Sequence, residues 1–260
     1  MKSRFPIYFR QTSQSLFNSW LENSSHPTES GLHDLRVLLK KTRFCQHFLS
    51  WVYGKSALGK LPEHTRLVFR ESGMVRELQL MRKWLTTEKI DLLEVMQCSA
   101  AIIDNQLFQL QKKLLEHQAD VSKGIKKAEQ LAEKTHPILS DQYWQQLNSG
   151  LKKQLKKTKK KDWHELRKLI KKWTYALNCL QDVKSPSKPL IQAMQKLEKN
   201  IGDWHEYWTI GIRLEEKEPG DTDSLAFRTQ YALAKTRIQE QMEVAEKKTE
   251  RQLKKVAELL

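Results

Sequence analysis

The segment from Gly31 to His47 constrains the fold most, because as a helix it has an unusual distribution of charge. At about 100° per residue, its basic side chains fall on one narrow stripe at spacings of three or four residues. Apolar residues flank this stripe on both sides, whereas an ordinary surface helix carries a wide polar face of both charge signs. The pattern therefore predicts a mostly buried helix whose cationic edge faces a polyanion. The stripe consists of His33, Arg36, Lys40, Arg43 and His47.

Composition predicts an all-α protein. Only 9 of the 260 residues are Gly and 7 are Pro, and runs of β-branched residues typical of strands are missing. Thr28 is the expected N-cap of the second helix, and Pro62 suits the first turn of the third. The predicted helices span about 7–22, 28–53, 63–85, 91–133, 139–156, 162–181, 190–216 and 224–260.

The formal net charge of +15 points to a polyanionic partner, such as nucleic acid, polyphosphate or an anionic membrane surface. No uninterrupted apolar run approaches about 18 residues, so no membrane insertion is expected. Three dispersed cysteines indicate reduced, buried thiols and a cytoplasmic location. They are Cys45, Cys98 and Cys179.

The first stretch recurs near the middle of the chain, from Trp163 to Tyr175. A second short motif follows each copy at a similar interval, as Gly-x-x-Arg-Glu from Gly73 and Gly-x-x-His-Glu from Gly202. This agreement in order and spacing predicts two copies of a four-helix unit, residues 1–136 and 137–260, with a break at Pro137. The corresponding basic positions are His33 and His164, Arg36 and Arg167, Lys40 and Lys171, and Lys41 and Lys172.

These repeated motifs resemble those of the conserved histidine α-helical domain (CHAD) family, and the resemblance covers nearly the whole chain, taken as one domain over 1–260. It implies two pseudo-symmetric four-helix bundles forming one unit around a basic channel. It also implies binding of inorganic polyphosphate. The leading hypothesis is therefore a non-enzymatic, cytoplasmic polyphosphate-binding protein associated with polyphosphate granules. The family's basic motif falls on His33, Arg36, Lys40, Lys41, Arg43, His164, Arg167, Lys171 and Lys172. We add His47, Arg76, Lys83 and His205 as further expected binding residues.

The chain departs from the family pattern in the second copy and in its acidic residues. Lys40 and Lys41 stand where the family more usually has Arg, and Glu77 and Glu206 replace Asp. In the second copy, Thr174 and Asn178 take the places of Arg43 and His47. The cationic edge of the first copy is therefore expected to bind more strongly.

Other interpretations stay open at this stage. The same charge suits a helical nucleic-acid-binding protein, and a metal-dependent phosphohydrolase is a more distant alternative. No P-loop, Glu-x-Glu-x-Lys element or nucleophile arrangement is present, so we expect no catalytic residue, metal or cofactor. Glu77 and Glu206 either orient basic residues or are exposed carboxylates. The lysine run from Lys152 to Lys161 is either a solvated helix face or a second polyanion contact, and the oligomeric state is left open.

Overall fold

The computed structural model describes residues 4–180, 186–220 and 223–259. Within these ranges the chain forms eight α-helices, two short 3-10 helices and no strand, which confirms the all-α prediction. The helices are α1 (Phe5–Ser25), α2 (Glu29–Tyr53), α3 (Leu61–Thr87), α4 (Leu93–Glu133), α5 (Pro137–Lys157), α6 (Trp163–Cys179), α7 (Lys188–Glu215) and α8 (Leu225–Leu259). The 3-10 helices are Lys55–Leu58 and Lys160–Asp162. The predicted ends of α6 at Gln181 and of α8 at Leu260 lie outside the described residues.

Local signals account for the ends of the second and third helices. The Thr28 hydroxyl accepts a hydrogen bond from the Gly31 backbone N–H at 3.0 Å, which confirms the predicted N-cap. Gly54 ends α2 with a φ of 87°, a conformation that favours glycine. Pro62 lies in the first turn of α3, where its missing N–H leaves no intrahelical hydrogen bond unmade.

The chain divides into two compact units. Unit 1 comprises Met1–Met74, Gln106–Leu151 and Lys171–Ser185, and unit 2 comprises Val75–Asn105, Lys152–Ile170 and Pro186–Leu260. Four of the five boundaries between them fall inside α3, α4, α5 and α6, whereas the predicted break at Pro137 is the start of α5. The compact units therefore differ from the sequence halves, and the two repeated halves stay a prediction.

The core of unit 1 is aromatic and holds α2 in place. Phe5 and Phe48 are fully buried, with ring centroids 4.7 Å apart in an edge-to-face arrangement. The indole N–H of Trp20 donates to the Leu114 carbonyl at 2.7 Å, which satisfies the buried polar atom. Leu35 of α2 is also fully buried, and this burial holds the cationic stripe along the remaining edge of α2.

One hydrophobic cluster of unit 2 joins α7 and α8 to the segment from α3 to the start of α4. It consists of Met81, Trp84, Leu85, Ile90, Leu92, Val95, Ile210, Leu214, Tyr231, Ala234 and Ile238. The Trp84 indole donates to the Gln241 side chain at 2.7 Å, and Gln241 donates in turn to Glu88 at 2.8 Å. This cluster fixes α7, which carries part of the second motif.

The three cysteines are free thiols, but they differ in burial. Cys45 and Cys179 are buried, as the sequence predicts, and burial raises the pKa of both thiols. Cys98 is exposed, so the expectation of burial is wrong for this residue. Its position on α4 is flanked by the exposed Gln97 and the buried Ser99, which marks the edge of the packed face.

Candidate functional site

Three cations of the first stripe converge on one aromatic ring in unit 1. The guanidinium carbons of Arg36 and Arg43 lie 4.4 and 4.8 Å from the ring centroid of Phe69, and the ammonium of Lys40 lies 5.8 Å from it. These distances are those of cation–π contacts. Arg36 Nη1 also donates to the Phe69 carbonyl at 2.7 Å and to the Ser72 hydroxyl at 3.0 Å. One turn of α3 therefore orients the middle of the stripe.

The glycine of the second motif provides space for the arginine of the first. A Cβ atom added at Gly73 would lie 3.2 Å from Arg36 Nη1, a tight approach. In unit 2, a Cβ atom added at Gly202 would lie 3.6 Å from Arg167 Nη2. Each glycine thus lies against the arginine of its own motif pair. The two motifs that recur together in the sequence are thus close to each other in the fold in both copies.

The far end of the first stripe is crowded with positive charge. Burial lowers the pKa of Arg43, and repulsion from Arg66 lowers it further. The ring nitrogen Nδ1 of His47 lies 2.9 Å from the Tyr143 hydroxyl. Desolvation by the surrounding atoms lowers the pKa of His47, and repulsion from Lys172 adds to this effect. These shifts oppose protonation in the ligand-free protein, so an anion placed here would reverse them.

The second copy of the repeat brings two histidines together in unit 2. The rings of His164 and His205 are stacked with centroids 4.7 Å apart. The centroid of the His205 ring lies 5.6 Å from that of Trp208, and the two rings are tilted relative to each other. His205 Nδ1 lies 3.3 Å from the Thr209 hydroxyl. His164 Nδ1 is buried and makes no hydrogen bond to the described residues. Burial lowers the pKa of His164, and repulsion from Lys168 follows as the second cause.

The structure divides the expected binding residues between the two units. Lys171 and Lys172 belong to unit 1, although in sequence they are part of the second copy of the repeat. Arg76 and Lys83 belong to unit 2, although they follow the first motif in sequence. Unit 1 holds His33, Arg36, Lys40, Lys41, Arg43, His47, Lys171 and Lys172, and unit 2 holds Arg76, Lys83, His164, Arg167 and His205. His33, His47 and Lys83 are exposed, and the others are half-buried. The shared channel stays a prediction.

Sequence reasoning missed the partners of these residues. Phe69 lies one helical turn before Gly73, so the motif spacing could have identified it. Tyr143 lies on α5, and no signal near His47 indicates this contact. Glu77 accepts hydrogen bonds from Arg213 Nη2 at 2.6 Å and Nε at 3.2 Å. Glu77 therefore orients a basic residue, but one that the sequence analysis did not include in the site.

Two further features of the described residues concern metal binding and membrane insertion. Among the described residues, no group of three or more His, Cys, Asp or Glu side chains is arranged to hold a metal ion. In that same part of the chain, no helix is both long and apolar enough to cross a membrane.

The fold and the repeated cationic motif define an all-helical protein with basic residues placed in two copies. The sequence profile of the CHAD domain matches residues 11–215, so the chain belongs to the CHAD domain family. This family is linked in general to polyphosphate binding, and its domains are generally binding domains.

Solved structures share the fold at low sequence identity. The CHAD domain from the plant Ricinus communis is 16% identical with a TM-score of 0.74, and the match covers 96% of this chain and 90% of that one. PptA from Streptomyces chartreusis is 10% identical with a TM-score of 0.64, and the match covers 96% of this chain and 98% of that one. No curated protein sequence matches significantly.

Proposed function

We propose that this chain binds inorganic polyphosphate through the cations of its repeated motif and catalyses no reaction on it. Family membership supports the ligand class. The observation that carries the proposal is the convergence of Arg36, Lys40 and Arg43 on the Phe69 ring. Three cations held this close repel each other, and a bound polyanion would offset that repulsion by attracting all three.

The chemistry of each side chain suits a phosphate chain. Guanidinium groups form forked hydrogen bonds with phosphate oxygens, whereas ammonium groups act as point charges. A charge-assisted hydrogen bond contributes roughly 1.5–3 kcal/mol at best, so affinity must come from many contacts. A linear polymer of phosphate can contact successive cations along α2 without a defined register.

Nucleic acid is the alternative ligand, and the surroundings of Phe69 argue against it. Stacking of bases requires an open aromatic face. Two guanidinium groups lie within 4.8 Å of the Phe69 ring centroid, so they occupy the positions that a base would need. Recognition by charge alone, without base contacts, fits polyphosphate better.

The proposal includes a location and excludes a cofactor. We place the protein in the cytoplasm, in association with polyphosphate granules, where its ligand would be concentrated. Neither a metal nor a cofactor takes part, because phosphate contacts by Arg, Lys and His need none. A fluorescent fusion that stays diffuse in cells with visible granules would contradict the granule association.

Competition binding tests the ligand. Labelled long-chain polyphosphate is titrated with the protein, and unlabelled polyphosphate, single-stranded RNA and duplex DNA are added at equal phosphate concentration. We expect only polyphosphate to displace the label efficiently, and equal displacement by nucleic acid would overturn the assignment. Both classes of complex weaken with salt, so salt dependence alone does not separate them. Phosphate release in Mg²⁺ or Mn²⁺ would contradict the non-catalytic role.

A further inference from the structure

The lysine run before α6 is the largest concentration of charge outside the motif residues. Seven lysines occur between positions 152 and 161, and no acidic residue lies between Asp141 and Asp162. Lys153, Lys156 and Lys157 are exposed on the solvent side of α5, and the three lysines from Lys159 to Lys161 are exposed after it. All seven belong to unit 2, together with His164 and Arg167.

The acidic residues that border this run already have partners. The Asp162 carboxylate accepts a hydrogen bond from the Lys159 backbone N–H at 3.2 Å. Glu165 accepts one from Lys168 at 2.7 Å. Glu246 of α8 pairs with Lys160 and also accepts a hydrogen bond from the Trp204 indole at 3.2 Å. Within the described part of the chain, Lys160 of the run therefore pairs with an acidic side chain, that of Glu246.

The C-terminal end of the lysine run is fixed next to the second copy of the repeat. Trp163 is 2% exposed and packs edge-to-face on Trp204 of α7, with ring centroids 5.3 Å apart. The next residue, His164, stacks on His205 of the same helix. Lys161 lies three positions before His164, so their Cα atoms are at most about 11 Å apart. A phosphate chain bound at His164 would pass within reach of Lys161.

We infer that the lysine run is a second, length-dependent subsite for polyphosphate, continuous with the His164 and Arg167 end of the motif. This inference rests on the proposed function. A short chain would be held by the motif residues alone, whereas a long chain would continue along Lys161 and the solvent face of α5. The run would then make affinity increase with chain length, as linked binding segments do.

The triple variant K156Q/K157Q/K161Q tests the subsite, since it leaves the Lys159 and Lys160 contacts intact. Its control is K123Q/K126Q/K127Q, which removes three exposed lysines from α4 and changes the net charge equally. We expect the test variant to bind long-chain polyphosphate about 10-fold more weakly, and tripolyphosphate within about 2-fold of the unmodified chain. The slope of log affinity against log salt should fall by about 2, while the control stays near the unmodified value.

Each other outcome has a defined meaning. Equal losses in the test and control variants would show a general effect of net charge and overturn the subsite. An equal loss for tripolyphosphate and long chains would overturn it as well, because no length dependence would remain. Unchanged affinity in the test variant, with loss in the variant R36A/R167A, would overturn the subsite and leave the proposed function standing. A lack of binding by the unmodified chain would overturn both.

Discussion

The two copies of the motif share one contact and differ in what surrounds it. In both, an arginine lies against a helical glycine, Arg36 against Gly73 and Arg167 against Gly202. One turn before the glycine, the first copy has Phe69 and the second has Glu198. The first arginine is held by a ring and a carbonyl, whereas the aligned position of the second copy carries a negative charge. The two copies therefore share the arginine and glycine contact but differ in the residue one turn before the glycine.

The continuation of the stripe differs in the same direction. Beyond Arg36, the first stripe adds Lys40, Arg43 and His47. Lys172 of α6 lies near His47 and adds positive charge to unit 1, although its sequence copy is the second. The fold thus increases the charge at the first motif beyond what the sequence comparison predicts.

The largest difference between the copies should come from single arginine variants. We expect Arg36→Ala to weaken polyphosphate binding roughly 30-fold and Arg167→Ala roughly 5-fold, because losing a charge-assisted contact costs at most about 1.5–3 kcal/mol. Titration calorimetry measures both. Arg70→Ala removes an arginine that is paired with Glu71 and 71% exposed, and it serves as the control. A larger loss for Arg167→Ala would reverse the ranking of the copies.

Protonation of the histidines gives the next largest effect. The pKa values of His47 and His164 lie below the usual 6.5 in the free protein, chiefly because surrounding atoms partly desolvate the two rings. In the proposed complex, phosphate beside the two rings would raise both pKa values, so binding should take up protons and affinity should rise as pH falls. From pH 8 to pH 6 we expect about a 10-fold gain.

The histidine variants separate the two contributions to this pH dependence. His47→Gln should remove the pH dependence that arises in the first copy of the repeat. His164→Gln should remove the pH dependence that arises in the second copy. Affinity in the double variant should vary little over the same pH range. A full pH dependence in that variant would assign the effect to the ligand or to other groups.

The aligned pair Phe69 and Glu198 should shift affinity in opposite directions. Phe69→Leu removes the ring under three cations, and we expect about 3-fold weaker binding, since an exposed cation–π contact contributes roughly 0.5–1 kcal/mol. Glu198→Gln removes a negative charge one turn from Gly202, and we expect about 3-fold tighter binding. Fluorescence titration under identical salt measures both. Changes of the same sign would mean that the aligned positions play unrelated roles.

The smallest effect should come from the glycines. Alanine gains up to about 1 kcal/mol of helix propensity over glycine in a helix interior. At Gly202 the added Cβ makes an ordinary contact of 3.6 Å, so thermal stability should rise. At Gly73 the approach of 3.2 Å to Arg36 should offset the gain and displace the guanidinium. A larger rise in melting temperature for Gly73→Ala than for Gly202→Ala would contradict this contact.

Helices were predictable from the sequence because their signals are local. The Thr28 N-cap and Gly54 act within one turn of the two ends of α2.

The site was only partly predictable, because contacts between distant helices leave no periodic signal. The repeat identified the cations and the glycines, but not the Tyr143 partner of His47, 96 residues away. The membership of Lys172 in unit 1 was equally hidden, because the repeat assigns it to the second copy. A helix that passes from one compact unit into the other separates residues that sequence alignment groups together.

The affinity of the double variant Arg36→Ala/Arg167→Ala for long-chain polyphosphate tests the central claim most directly. The account predicts a loss of at least about 100-fold relative to the unmodified chain, with helicity by circular dichroism unchanged. It also predicts that a double variant of exposed arginines, Arg10→Ala/Arg70→Ala, keeps its affinity within about 2-fold. Full binding by a folded Arg36→Ala/Arg167→Ala variant would contradict the assignment of the repeated motif as the polyphosphate site.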